Sequence, residues 1–185
     1  MVTILSLWLP ILLSAAAVFL MSSVLHMALS YHENDFAKLP NEDEGRAAIR
    51  QLNIPPGDYV VPKPANSKDM STPEFIAKTE EGPVLWMTVL PSGLFDMKKS
   101  LAQWFGLSVV ISVFAAYIAG RALGPGADYL AVFRFVGCTA FVGYSIGLIQ
   151  NSIWYGRKWS ATCKSMFDGL IYALLTAGVF GWLWP

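Results

Sequence analysis

Four apolar stretches, each long enough to cross a bilayer, run through this sequence: roughly Ile4 to Leu29, Leu101 to Gly120, Tyr129 to Gln150, and Ser165 to Trp184. A helix needs about 20 apolar residues to span the hydrocarbon core, and in that medium every backbone polar group must be satisfied within the helix itself. The spacing therefore predicts an all-α membrane protein, a four-helix transmembrane bundle. Composition agrees: 55% of residues are hydrophobic and only 14% are charged, a balance that favours lipid over water.

The first stretch is N-terminal, and Ser14-Ala15-Ala16-Ala17 has the look of a signal cleavage region. No Lys or Arg precedes it, however, and the apolar run continues through Leu25, beyond the core of an ordinary signal. A retained helix is expected. The chain then divides into helix 1 (residues 1–30), an extramembrane segment (31–100) and helices 2–4 (101–185).

The segment between the first two helices carries most of the charge. Asn41 before Glu42, Asp43 and Glu44 predicts a capped helix start, and Pro55-Pro56-Gly57 predicts its end. Tyr59-Val60-Val61 and Val84 to Leu90 are strand-compatible and can pair, with a further short helix opened by Pro73. The expectation is a small α+β unit, and a lone two-stranded ribbon is marginal in water.

Arg157, Lys158 and Lys164 follow the third helix, and Lys38, Arg46, Lys98 and Lys99 lie in the first loop, against Arg121 alone in the second. The positive-inside rule then places loops 1 and 3 in the cytoplasm and both termini outside. Trp8, Trp104, Trp154, Trp159, Trp182 and Trp184 fall near helix ends, where indoles anchor at headgroups.

Basic and acidic residues number thirteen each, so no global field would attract nucleic acid, and none is expected as a partner. The two cysteines, Cys138 and Cys163, have no partner at metal-ligand spacing. No phosphate-binding glycine loop, hydrolase triad or haem motif is present, so neither an enzyme nor a cofactor is expected.

Several residues stand out nonetheless. His26, His32 and Asp35 form the one His/carboxylate concentration and are weak metal candidates, because six residues place the two histidines on different faces of a continuous helix. Arg134 lies inside the third helix, where it can snorkel to headgroups or meet a partner. Trp154, Arg157, Lys158 and Trp159 suit lipid or partner contact at a membrane boundary. Gly143 and Gly147 form a GxxxG pair, and Ala173, Ala177 and Gly181 repeat small residues at that spacing, a pattern that lets membrane helices approach closely. Lys164 and Asp168 are one helical turn apart and are expected to pair with each other.

His32-Glu33-Asn34-Asp35-Phe36, Leu39-Pro40-Asn41-Glu42, Pro56-Gly57-Asp58-Tyr59, Phe167-Asp168-Gly169-Leu170-Ile171-Tyr172-Ala173 and the closing Phe180-Gly181-Trp182-Leu183-Trp184-Pro185 together resemble a group of small four-helix bacterial inner-membrane proteins to which no activity is assigned. The resemblance implies a bacterial cytoplasmic membrane and no catalytic residues. On these grounds the leading expectation is a structural or accessory component of a membrane assembly, in contact with lipid and with other subunits or copies of itself. The alternatives are an oligomeric channel or small-solute transporter using Arg134, Tyr144 or Asn151, and a metal-handling membrane protein built on His26, His32 and Asp35.

Overall fold

The computed structural model describes all residues, 1–185. It resolves into two compact units, Met1–Phe36 with Asp96–Pro185, and Ala37–Phe95.

The first unit holds four helical spans, Leu5–Ala28, Met97–Ala122, Tyr129–Tyr155 and Trp159–Trp182, as the hydropathy predicts. The first comprises α1 (Trp8–Ser23), preceded by a 3-10 turn and continued by a π-helical turn over Val24–Ala28. The second and fourth spans each form a single helix. The third is interrupted. Neighbouring spans pack in a ring, first on second, second on third, third on fourth and fourth on first. Chain direction alternates: Val2 N donates to Gly120 O and Gly126 N to Pro185 O, so both termini meet the loop between the second and third spans at one end.

In the second unit, α2 (Glu42–Gln51), β1 (Gly57–Val61), α3 (Pro73–Glu81) and β2 (Leu85–Val89) follow one another. The strands pair antiparallel with Tyr59 opposite Met87, and Thr88 Oγ1 donates to Asp58 across the ribbon. Thr72 caps α3 and Pro73 occupies its first turn, where a missing N–H costs nothing. Asn41 does not cap α2: its backbone is left-handed (φ 51°, ψ 50°), whereas a capping side chain is aimed from an extended backbone. No residue of this unit is buried.

In the spanning unit, α4 (Met97–Ala122) starts on an Asp96 cap and α5 (Tyr129–Tyr144) on an Asp128 cap, whose carboxylate accepts from Leu130 N and Ala131 N. A 3-10 turn over Ile146–Leu148 separates α5 from α6 (Ile149–Tyr155), and α7 (Trp159–Trp182) completes the bundle. One end of the core is apolar, with Leu7, Ile11, Ala115, Ala119, Val132, Val136 and Phe180 packed together. The other half mixes Val18, Ile111 and Ala140 with Tyr144 and Tyr172.

Small residues act inside this ring. A Cβ on Gly143 would sit 3.1 Å from Ile111, one on Gly137 3.3 Å from Ala177, and one on Gly181 2.6 Å from the Tyr129 ring. Ala173 and Ala177 are buried. Gly147 has nothing within 4 Å, because the interruption after Tyr144 removes it from the face that Gly143 presents. Trp104 is turned toward the bundle. Its ring packs on Tyr144 and Tyr172, and its Nε1 donates to Ser22 Oγ at 2.9 Å.

Candidate metal centre

The π-helical turn is what brings both of the chain's histidines into one place. A π turn widens the helix by one residue, and such turns recur at functional sites. Here it carries His26; the chain then becomes extended at Leu29 (φ −107°, ψ 133°) and folds back in a 3-10 turn over Ser30–His32. The His26 and His32 rings consequently stack, with centroids 4.6 Å apart and planes 8° from parallel. The six-residue spacing, read on a continuous helix, predicts different faces; the break in the helix cancels that expectation.

Asp168 of α7 completes the group and is 3% exposed. Its Oδ2 lies 2.8 Å from His32 Nε2 and 3.9 Å from His26 Nε2. Its Oδ1 accepts from the Tyr31 hydroxyl. One carboxylate oxygen is thus held from outside the group, while the other accepts from His32 Nε2, a proton that a bound ion would replace, and also faces His26.

The far side of each imidazole is also tied. His26 Nδ1 lies 3.0 Å from Ser22 O. A carbonyl only accepts, so this partner assigns the proton to Nδ1 and leaves the Nε2 lone pair toward Asp168. His32 Nδ1 contacts Asp35 Oδ2 at 2.6 Å, and Asp35 Oδ1 accepts from Lys164 Nζ at 2.8 Å. Lys164 donates as well to the Tyr31 carbonyl. These hydrogen bonds from His32 and Lys164 hold the Asp35 carboxyl below its ordinary range, with burial opposing. Burial, followed by the bond to Asp168, pushes the Tyr31 phenol up, so it acts only as a donor.

Lys164 therefore pairs with Asp35 and not with Asp168. The fold uses the two α7 residues separately, each to reach the chain that follows the first span. Asp35 itself stands behind His32 and does not face His26.

The donor set His26 Nε2, His32 Nε2 and Asp168 Oδ2, all mutually within 4.8 Å, suits a divalent transition-metal ion. Around a tetrahedral ion with bonds of about 2.0–2.1 Å, ligand atoms sit about 3.3 Å apart. The observed 2.8 and 3.9 Å straddle that value. The His32 Nδ1 to carboxylate contact and the His26 Nδ1 to carbonyl contact are the outer bonds that fix imidazole orientation in metal sites. An open cleft of about 290 Å³, lined in part by His26, His32 and Glu33, adjoins the group.

The other residues singled out in the sequence lie elsewhere. Arg134 is exposed on the outer face of α5, and Trp154, Lys158 and Trp159 are exposed around the turn between the third and fourth spans, with Arg157 half-buried. Asp168 escaped the sequence reading as a site residue, although it is the lone acid within the apolar run from Ser165 to Trp184. A carboxylate inside a membrane span is a functional signal by default.

No family model, curated protein or solved structure matches this chain. Its class rests on its own architecture: four helices long and apolar enough to cross a membrane define a multi-pass integral membrane protein.

Proposed function

We propose that this is a metal-handling membrane protein that binds one divalent transition-metal ion, of the zinc class, through His26, His32 and Asp168. The observation that carries the reading is that both imidazoles have Nδ1 tied back to an acceptor and Nε2 turned to the same carboxylate oxygen. A purely structural ion pair needs no second histidine. Tyr31, Asp35 and Lys164 are used in holding the ligands. The His26 side chain is 53% exposed, which lets an ion enter and leave. Passage through the bundle is opposed by the packed apolar end around Leu7, Val132 and Phe180.

The test is zinc uptake by the full chain, purified in mild detergent and stripped with chelator. One zinc per chain is expected, with uptake lost in His32→Ala. Wild-type protein that takes up no more zinc than the variant would overturn the reading. Lys164→Ala is expected to weaken zinc binding about 10- to 100-fold, the usual effect of removing an outer partner, because Asp35 then loses the cation that positions it behind His32. Equal affinity by competition with a chromophoric chelator would count against that role.

An accessory role in a larger assembly is the second reading. It is supported by an Ala37–Phe95 unit with no buried residue and by Arg134, exposed among apolar neighbours without an ion-pair partner. Native mass measurement of the particle extracted from its own membrane tests it: stoichiometric foreign subunits are expected, and a bare monomer contradicts it.

A further inference from the structure

Below the metal centre, one turn further along α7, lies a buried hydroxyl without a partner. Tyr172 is 4% exposed, and its phenol oxygen makes no hydrogen bond. The Tyr144 oxygen makes no hydrogen bond either. Tyr172, however, is the one that stands a single turn from Asp168 on α7. The ionisable groups around it are Asp168, Tyr31 and Tyr144.

Its position on α7 places Tyr172 next to Asp168. It is on the same face of α7 as Asp168, one turn away, and long side chains on a helix lean toward its N-terminus, here toward the turn that carries Asp168. Trp104 and Tyr144 close the other sides, with ring centroids 5.7 and 5.5 Å from the Tyr172 ring. Meanwhile the protein supplies three ligand atoms, and a zinc-class ion takes a fourth. On the bundle side the polar groups that hold the ligands are already committed, Tyr31 to Asp168 and Asp35 to His32 and Lys164. A buried phenol left unbonded is costly, and native interiors seldom keep one.

We propose that the Tyr172 hydroxyl is the hydrogen-bond partner of the ligand that completes the ion's coordination from the bundle side, a water molecule in the resting protein. This inference rests on the metal reading above. Tyr172 is thereby a positioning residue for an exchangeable ligand, and the coordination shell extends inward from the His26 cleft into the bundle.

Cobalt(II) and azide are the probes. Full-length protein in detergent is loaded with cobalt(II), and azide, which replaces metal-bound water and accepts hydrogen bonds, is titrated while the visible absorption is followed. Tyr172→Phe is expected to bind cobalt as wild type does and to bind azide about tenfold more weakly, the worth of one hydrogen bond. Tyr144→Phe is expected to match wild type in both. Equal azide affinity in wild type and Tyr172→Phe, no azide binding to the wild-type cobalt protein, or loss of cobalt from Tyr172→Phe would each overturn the inference while leaving the metal reading standing. Wild-type protein that binds no cobalt would overturn both.

Discussion

Asp168→Asn is expected to lower zinc affinity by more than about 100-fold, since replacing only an outer partner already costs 10- to 100-fold. Asparagine keeps the shape of aspartate. It can still accept from Tyr31 and meet His32, so the contacts that join α7 to the chain after the first span persist. What it removes is the anionic oxygen that both Nε2 atoms face. The helical circular dichroism and the thermal midpoint in detergent should therefore change little while isothermal titration loses its zinc signal. A variant that unfolds would show the carboxylate to be a structural brace, and a variant that binds zinc normally would exclude it as a ligand.

Gly169→Val is expected to destabilise the bundle by about 3 kcal/mol, at the upper end of overpacking costs. Glycine in a helix interior normally costs about 1 kcal/mol relative to alanine, so its presence there needs a packing reason. The reason is the interrupted third span. A Cβ at Gly169 would lie 2.1 Å from Ser145 Oγ and 3.2 Å from the Tyr144 backbone, where α5 ends. Ser145 cannot easily withdraw, because its hydroxyl donates to Met166 O at 3.2 Å. Gly147→Ala is the matched control: with nothing within 4 Å, it should stay within about 0.5 kcal/mol of wild type. Thermal unfolding in detergent compares the two, and equal midpoints would contradict the packing argument.

The spans were legible because hydropathy is a local property. Ile4 to Leu29 in the sequence becomes Leu5–Ala28 in the fold, and Tyr129 to Gln150 becomes Tyr129–Tyr155. The ribbon was legible for a similar reason: two β-branched and aromatic runs between turn residues pair with Val60 opposite Trp86. The fold class, a four-helix bundle with a small α+β segment after the first helix, follows from those local signals.

The candidate metal centre was only half legible. His26, His32 and Asp35 stand out through proximity in sequence, but the spacing rule that makes them weak candidates assumes regular helix geometry. A π turn and an extended Leu29 invalidate that assumption, and neither leaves a mark in composition. Asp168 lies far along the chain from His32, and only tertiary packing of the first and fourth spans joins them. Helix spacing likewise offered Lys164 as the partner of Asp168, whereas the fold gives Lys164 to Asp35. Trp104 shows the same limit: its place near a span end suggests an anchor, and only the fold reveals the Nε1 bond to Ser22.

X-ray absorption at the zinc edge of the zinc-loaded, full-length protein shows whether His26, His32 and Asp168 hold the ion. Four nitrogen or oxygen scatterers at about 2.0–2.1 Å are expected, with the outer-shell pattern of two imidazoles. A shell dominated by sulfur at about 2.3 Å would place the ion on Cys138 or Cys163, both exposed, and a shell of oxygen alone would place it on surface carboxylates; either result would contradict the account.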